Sequence, residues 1–408
     1  MNTARWIAQR IGQDKNIGFS RAVEYIAVGS IALGLSVLIV SFSIFEGFKS
    51  KLTDKICHFS GHFQLSGYDS NLAFDEAKPI STQNPSLKKI SQLPFFSYMQ
   101  PYTKRAALLK SDTEVAGVIL KGVEKSKTLN PLEQYLTEGT YLNFPDTTAS
   151  NDLILSEHIA KNLSLKLNDS LVAHFVENKM RSRYRKMRVA GIYRSNLEEF
   201  DHSVVLCDMR LVQKLNNWPD TLVGGYELFF ESLLLASEQT DAILDELDYA
   251  TTLSSVYELY SYFFDWFRII DRNVFIFLSI IVFVALFNII SVLLIMIVER
   301  IEMIGVLKTI GANNWQLQRI FFYKSLKLMY WGLFFGNFFG LGFCWVQDQW
   351  GLIPLDEATY YTSAVPIELS YIVCAILNVI VVLLVLLMML LPTFLISFIK
   401  PVKAIRFQ

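Results

Sequence analysis

Three side chains near the start of the chain, Cys57, His58 and His62, are of types that bind metal ions. Thiolate and imidazole are zinc ligands, but a structural zinc site takes about four of them at recurring spacings. The surrounding segment is instead typical of the start of a β-strand, so we expect a solvated histidine pair there. The other histidines show no ligand spacing: His158, His174 and His202.

The motifs of nucleotide-binding and hydrolytic enzymes G-x-x-x-x-G-K-[ST], H-E-x-x-H and G-x-S-x-G are absent from the sequence. We therefore expect a protein that is not itself an enzyme and that binds no cofactor or metal directly. The formal net charge of −1 disfavours nucleic-acid binding, which normally requires a basic surface. Cys57 and Cys207 lie outside the apolar segments, and the sequence leaves open whether they pair.

Hydrophobic residues make up 52% of the chain, and they are concentrated in four segments. Each could cross a bilayer, because about 20 helical residues span a hydrocarbon core of about 30 Å. The first segment lacks an A-x-A-like exit and is expected to be a retained anchor. In the third, Gly332, Gly336 and Gly340 repeat every four residues, which predicts close packing against another helix.

The predicted organisation follows from these segments. It comprises an N-terminal interfacial helix and first span (1–48), an external domain (49–267) with an inserted lobe (about 122–218), a second span (268–298), a cytoplasmic segment (299–327), a third span (328–346), an external loop (347–370), and a fourth span with a cytoplasmic tail (371–408).

Positively charged residues predict the orientation. Lys and Arg occur in the N-terminal tail, in the segment 299–327 and after residue 399, whereas residues 347–368 contain neither. Cytoplasmic segments are enriched in Lys and Arg. Both termini are therefore predicted to be cytoplasmic, and the large domain external.

The external domain is predicted to be an α/β core interrupted by the inserted lobe. A strand–helix–strand pattern occurs at both of its ends. The predicted elements are strands at 62–65, 97–102, 226–230 and 253–259 and helices at 85–92 and 238–247 in the core, with strands at 152–155, 170–176 and 187–193 in the lobe.

The segment after the second span is E-R-I-E-M-I-G-V-L-K-T-I-G-A, residues 299–312. Its periodicity predicts a short amphipathic helix that ends at Gly311 and Ala312. The predicted apolar face comprises Met303, Val306, Leu307 and Ile310, and the opposite face Glu302, Gly305, Lys308 and Thr309. A span that continues into an exposed helix indicates an element that transmits force, applied to it from outside the bilayer, to the span.

A strongly basic segment, residues 177–188, lies between two predicted strands of the inserted lobe. It is either a solvated loop or a docking arm for an acidic or amphipathic partner. The residues that would form the docking surface are Lys179, Arg181, Arg183, Tyr184 and Arg185.

The segment 299–312 resembles the signature that follows the second span of FtsX/MacB-type ABC permeases. Nearly the whole chain is similar to the LolC/LolE-type lipoprotein-releasing permeases of that superfamily. Shorter motifs support this likeness: Trp6–Arg10, Phe45–Phe48, Leu153–Glu157, Val365–Glu368 and Lys400–Ala404.

The resemblance implies an α-helical membrane protein with four transmembrane helices and a large extracytoplasmic α/β domain with MacB-like porter and sabre lobes. It implies a bacterial inner-membrane location, a second permease subunit, and separate LolD-like ATPase subunits that hold ATP and Mg. The segment after the second span would be the coupling helix that binds the ATPase. Its candidate residues are Glu299, Arg300, Glu302, Gly305, Leu307, Lys308, Gly311 and Ala312.

By the same resemblance, the first two spans would line a cavity for the lipid chains of a lipoprotein, and the basic hairpin would recruit a periplasmic LolA-like carrier. Candidates for the cavity are Phe42, Phe45, Phe275 and Asn288. Asn288 could equally hydrogen-bond between helices. Two other functions stay open within the superfamily: a MacB-like efflux permease, and an FtsX-like regulator that transmits force to a periplasmic hydrolase.

Overall fold

The computed structural model describes residues 18–68, 78–112, 114–125, 131–145, 148–176 and 182–395. The chain forms two compact units. One comprises Met1–Ser50, Trp266–Leu355 and Ser363–Gln408, and the other Lys51–Asp265 and Asp356–Thr362. The predicted interfacial helix, up to residue 17, and the end of the tail lie outside the described residues.

Helices dominate the first unit and strands the second. The helices are α1 Gly18–Ser60, α2 Pro85–Ile90, α3 Glu157–Asn162, α4 Glu198–Asp201, α5 Met209–Leu215, α6 Leu233–Glu238, α7 Thr240–Leu244, α8 Val256–Leu259, α9 Ser261–Glu299, α10 Ile301–Thr309, α11 Asn314–Trp350, α12 Glu357–Tyr360 and α13 Tyr371–Leu395, with a 3₁₀ turn at Glu133–Tyr135. The strands are β1 Phe63–Gly67, β2 Ile80–Ser81, β3 Phe96–Lys110, β4 Val115–Val123, β5 Leu136–Gly139, β6 Asp152–Ser156, β7 Ser170–Val176, β8 Ser182–Tyr193, β9 Val204–Asp208, β10 Leu222–Val223, β11 Gly225–Phe230 and β12 Thr251–Ser255.

Long apolar helices form the first unit. Among the described residues, Glu24–Ser60 and Asn314–Trp350 are long and apolar enough to cross a membrane. The helices α9 and α13 run through the predicted second and fourth spans. The total of four spans stays a prediction.

Close packing of α11 on α1 depends on the three regularly spaced glycines. A Cβ atom at Gly332 would lie 2.7 Å from Ile31 Cβ, and one at Gly336 would lie 2.9 Å from Leu35 Cβ. At Gly340 the nearest atom would be a backbone atom of α1 at 3.1 Å. Small residues permit this approach, and in lipid such packing is a main source of helix association.

A pair of asparagines joins α11 to α13. Asn337 Nδ2 donates to Asn378 Oδ1 at 2.7 Å, and Asn378 Nδ2 donates to Asn337 Oδ1 at 2.9 Å. Each amide also donates to a carbonyl one turn earlier in its own helix, at 2.8 Å. The four bonds satisfy two amides that would be costly to bury alone.

Strands β12, β1, β11 and β3 form an antiparallel sheet in that order. Because β11 lies between β1 and β3, and β1 between β12 and β11, each strand–helix–strand unit is split by one strand. This is the ferredoxin-like arrangement. Helices α2, α6 and α7 pack on the sheet through a shared apolar core, so the predicted α/β core and its order of elements agree with the structure.

The inserted lobe is a closed barrel rather than an open layer. Strand β3 extends beyond the sheet and pairs with both β4 and β7. The hydrogen-bonded circuit is β3, β4, β9, β6, β8, β7 and back to β3. Its interior is filled by apolar side chains, among them Leu109, Leu120, Leu153, Phe175 and Val189.

Two sequence-based predictions for this unit were wrong in detail. The strand predicted at 253–259 ends at Ser255, because Ser255 and Glu258 form a capping box that begins α8. The acidic helix predicted at 238–247 is shorter in the structure, where α7 comprises only Thr240–Leu244 and the preceding α6 ends at Glu238.

The glycine contacts give a matched pair of substitutions. Gly332→Ala is expected to destabilise the full chain by about 1–3 kcal/mol, because the new methyl group overlaps Ile31. Gly342→Ala on the same helix meets nothing within 4 Å and should be neutral or up to about 1 kcal/mol stabilising. Thermal unfolding in detergent micelles measures both, and equal stabilities would contradict the packing described.

Candidate functional site

The segment 299–312 begins with a break between two helices. Helix α9 ends at Glu299, Arg300 leaves helical geometry (φ −107°, ψ 20°), and α10 begins at Ile301. The first bond of the new helix runs from the Ile304 amide to the Arg300 carbonyl at 3.0 Å. The two helices are thus separated by a local break and not by a long loop.

A glycine fixes the other end of α10. Gly311 has φ +99°, a conformation that residues with a Cβ rarely adopt. The Ala312 amide bonds to the Leu307 carbonyl at 2.9 Å and the Gly311 amide to the Lys308 carbonyl at 3.1 Å, which is the Schellman motif. Asn313 N donates to Gln316 Oε1 at 3.1 Å at the start of α11. The turn between α10 and α11 therefore has a fixed geometry.

The buried face of α10 agrees only in part with the predicted one, of which Met303 and Leu307 pack against the neighbouring apolar cluster. Ile304 is fully buried and Gly305 is also buried, although Gly305 was predicted to face away from the apolar side. Val306 and Ile310, predicted to lie on the apolar face, are 49% and 78% exposed. Because α10 is apolar on most sides, its periodicity did not identify which side packs against Leu317 and its neighbours in α11.

Exposed apolar residues precede and follow the Gly311 turn in the sequence. Trp315, in the first turn of α11, is 57% exposed, and Arg319 stacks on it with the guanidinium carbon 3.6 Å from the ring centroid. We name the three exposed apolar residues on either side of the Gly311 turn in the sequence, Val306, Ile310 and Trp315, the turn surface. Exposed apolar groups on a fixed turn are suited to a protein contact.

The remaining candidates of this segment differ in exposure. Glu302 is exposed, whereas Leu307 and Lys308 are half-buried. Both carboxylate oxygens of Glu299 are buried and accept no hydrogen bond from the described residues. A buried carboxylate without a donor is costly, so the helix junction is a place where a donor from elsewhere would be stabilising.

A large apolar groove of about 1450 Å³ lies between α1 and α11. Its lining includes Val37, Val40, Phe334, Phe338 and Trp345. The predicted cavity residues are not part of this lining: Phe42 and Phe45 are half-buried on α1, Phe275 is exposed on α9, and the side chain of Asn288 lies outside the described residues.

The basic segment belongs mostly to a strand. Lys179 and Arg181 lie outside the described residues, but residues 182–188 are the first part of β8 and pair with β7, which corrects the prediction that the whole of residues 177–188 is the tip of a hairpin. Arg183, Tyr184 and Arg185 are all exposed. Arg183 Nη1 donates to Asn217 Oδ1 at 3.3 Å. The pairing of β8 with β7 extends to Val176 and Ser182, and we name these two paired strands the β7–β8 ribbon. Arg183, Tyr184 and Arg185 therefore project from paired strands.

The Cys57–His62 region has structural contacts. The Phe230 amide donates to His62 Nδ1 at 3.1 Å, and His58 Nδ1 is 2.8 Å from the Tyr135 hydroxyl, so the predicted solvated pair was wrong. Burial lowers the pKa of His62 to about 4. In the described ranges no group of three His, Cys, Asp or Glu side chains is placed to hold a metal ion. Cys57 and Cys207 are both buried and unpaired as thiols.

Two of the short motifs meet in the first unit. A Cβ atom at Gly47 would lie 2.5 Å from the Pro366 carbonyl oxygen, and the Glu368 amide donates to the Ser43 carbonyl at 3.0 Å. The motif residues 45–48 and 365–368 are therefore adjacent, and the glycine is needed for backbone contact. Sequence reasoning did not find this contact, nor the Asn337–Asn378 pair, although an amide inside an apolar span is a usable signal.

Comparison with known proteins supports this architecture. The family model for the MacB-like periplasmic core domain matches residues 25–243, and the model for the FtsX-like permease C-terminal region matches residues 275–401. LolE of Haemophilus influenzae is 24% identical over 393 residues, 91% of each chain. LolC of Neisseria meningitidis serogroup B is 23% identical over 424 aligned positions, 99% of each chain.

Among solved structures, the periplasmic region of MacB from Actinobacillus actinomycetemcomitans is 12% identical and aligns with a TM-score of 0.33, covering 51% of this chain and 95% of that one. The two family models together account for most of the chain. The model for the MacB-like periplasmic core domain alone matches more than half of it. The chain thus belongs to the family of FtsX-like ABC transporter permeases with a MacB-like periplasmic core domain, and it resembles LolC and LolE over nearly its whole length.

Proposed function

We propose that this chain is the permease subunit of a transporter that extracts lipoproteins from the bacterial inner membrane and passes them to a periplasmic carrier. ATP hydrolysis takes place on a separate ATPase subunit, and a second permease, identical or different, completes the complex. The likeness to LolC and LolE over more than nine-tenths of the chain carries this proposal. Both termini and the 299–327 segment face the cytoplasm in this scheme, and the sheet and barrel face the periplasm.

Extraction of a lipoprotein needs an energy source. Each buried CH₂ of an acyl chain contributes about 0.8 kcal/mol to membrane anchoring, so two or three chains hold a lipoprotein in the bilayer firmly. The sequence contains no P-loop of its own, so the work must come from a bound ATPase. A soluble carrier is then needed to shield the chains from water.

The turn surface is the proposed ATPase contact. Val306, Ile310 and Trp315 lie on either side of the Gly311 turn in the sequence and are exposed in the isolated chain. Burial of such side chains in a groove of the ATPase would stabilise the complex, while the buried face at Ile304 ties α10 to the start of α11. A push on this surface would therefore reach α11 through packed side chains.

The exposed end of the β7–β8 ribbon is the proposed carrier contact. Arg183 and Arg185 supply positive charge and Tyr184 an amphipathic ring, and all three are exposed. Tyr and Arg are among the residues most enriched at the centres of protein interfaces. The complementary partner is an acidic or amphipathic surface, as expected for a LolA-like carrier.

Depletion of the protein tests the transport function. Spheroplasts depleted of this chain should retain acylated lipoproteins in the inner membrane when a purified carrier is added, and re-expression should restore their release. A secreted protein without an acyl anchor is the control and should leave the cells equally in both cases. Release of lipoproteins at the normal rate without this chain would exclude the proposal in favour of an efflux or regulatory function.

Substitution on the turn surface tests the ATPase contact. Ile310→Glu should weaken association with the ATPase by roughly 10–100-fold, because burial of an isoleucine contributes about 1.5–3 kcal/mol. The control is Leu352→Glu, which places the same charge on an exposed apolar residue just beyond the other end of α11. Affinity copurification measures both, and full recovery of the ATPase with Ile310→Glu would contradict the assignment.

Charge removal on the ribbon tests the carrier contact. The double variant Arg183→Gln with Arg185→Gln should reduce crosslinking to the carrier by roughly 2–30-fold at low salt, since each exposed ion pair contributes about 0.2–1 kcal/mol. The control variant, Lys88→Gln with Lys110→Gln, also removes two exposed charges but lies on α2 and at the end of β3. Equal crosslinking by both variants would favour a solvated ribbon.

A further inference from the structure

The C-terminal end of α1, which belongs to the second unit, contacts two polar side chains of that same unit. The last carbonyls of a helix have no partners within it. Here Lys121 Nζ donates to the Phe59 carbonyl at 2.5 Å, and Gln64 Nε2 donates to the Ser60 carbonyl at 3.0 Å. Gly61 ends the helix with φ +72°. Both contacts come from strands, so they attach the helix end directly to the sheet.

Lys121 is at the same time half of a buried ion pair. Its Nζ lies 2.6 Å from Glu227 Oε1, and the two side chains are only 4% and 3% exposed. Lys121 is on β4 and Glu227 on β11, the two strands that flank β3. A cation at a helix C-terminus is also stabilised by the helix dipole. One ammonium group thus connects three elements, α1, β4 and β11.

Neighbouring polar groups extend this contact across the sheet. Gln64 is opposite Glu227 in register, and Lys104 is opposite Lys121. Lys104 Nζ lies 3.4 Å from Gln64 Oε1, and the Tyr102 hydroxyl donates to the same oxygen at 3.3 Å. Burial and the charge of Lys121 lower the pKa of Lys104 to about 8. The result is a polar row over β1, β11, β3 and β4 in the middle of an apolar domain.

Stability alone does not account for such a pair. Removal of two charges from water costs several kcal/mol for each ion, and a well-packed apolar pair in the same place is often as stable or more stable. What an ion pair adds is a defined geometry between the elements that carry it. Gly61 also lies very close to β11. A Cβ atom at Gly61 would lie 3.0 Å from Glu227 Cβ and 3.2 Å from the Leu228 amide nitrogen. This contact restricts the position of the helix end further.

We propose that Lys121 and Glu227 are positioning residues that fix the end of α1 to the sheet, so that displacement of α1 moves the external domain during transport. The proposal rests on the function proposed above. Helix α1 is continuous over Gly18–Ser60 and contributes residues to both compact units. If the helix end were not attached to the sheet, a displacement of α1 would change only the backbone conformation around Gly61 and would not move the sheet.

The test uses the double variant Lys121→Met with Glu227→Met in the full chain. Both partners are replaced because removal of one alone leaves a buried unpaired charge and costs about 3–5 kcal/mol, which could unfold the domain. Spin labels at positions 51 on α1 and 110 at the end of β3, both exposed, report the distance between α1 and β3, the strand that the sheet and the barrel share, in lipid nanodiscs. The wild-type chain should give one narrow distance.

We expect the double variant to lose this narrow distance while its thermal unfolding temperature stays at or above that of the wild type. In complex with the ATPase it should hydrolyse ATP at the wild-type rate but release less lipoprotein per ATP. The control is Asp152→Leu with Arg188→Met, which removes an ion pair between β6 and β8 (2.8 Å) away from α1 and should keep the narrow distance.

A narrow, unchanged distance in the Lys121→Met, Glu227→Met variant would overturn the proposal, as would an unchanged yield of lipoprotein per ATP. The distance measurement does not depend on the transported molecule. Failure of the depletion experiment would therefore reject lipoprotein release while leaving the attachment of α1 to be decided by the spin labels.

Discussion

The contact of α1 with three glycines of α11 is the constraint on which the first unit depends. In a bilayer, water does not drive helices together, so association relies on van der Waals packing and hydrogen bonds. Gly332, Gly336 and Gly340 place the backbone of α11 directly against side chains and backbone of α1. On another side α11 is bound to α13 by the Asn337–Asn378 amides. Two different kinds of contact thus hold one helix between two others.

The second unit depends in a similar way on one shared element. Strand β3 is 15 residues long; its first part, up to Tyr102, pairs with β11 in the four-stranded sheet, and its later part closes the barrel by pairing with β7. A closed barrel has no exposed strand edges and resists local opening. Because the same backbone belongs to both lobes, displacement of the sheet must be transmitted to the barrel and to the β7–β8 ribbon.

Local signals predicted part of this fold, although strands β4 and β9, two of the six strands of the barrel, were not among the predicted elements. Strand β7 coincides with the predicted 170–176, and the two strand–helix–strand patterns correspond to the split units of the sheet. Features that depend on distant residues were not predictable. Lys121 and Glu227 are 106 positions apart, and closure of the barrel depends on a second pairing of β3. In α10, an apolar helix on most sides, periodicity could not show that Ile304 is buried and Ile310 exposed.

The residues on which both proposals rest have a burial or exposure that is unusual for their type. Lys and Glu are almost never fully buried without a partner, and a contiguous exposed apolar surface outside the membrane usually marks a contact. Ile310 and Trp315 are exposed on a turn whose shape Gly311 fixes, and Lys121 and Glu227 are buried at the end of a helix. Either arrangement costs free energy in the isolated chain. In the proposed function a partner that covers the surface would recover the first cost. In the proposed attachment of α1 the second cost would accompany a defined geometry of the helix end.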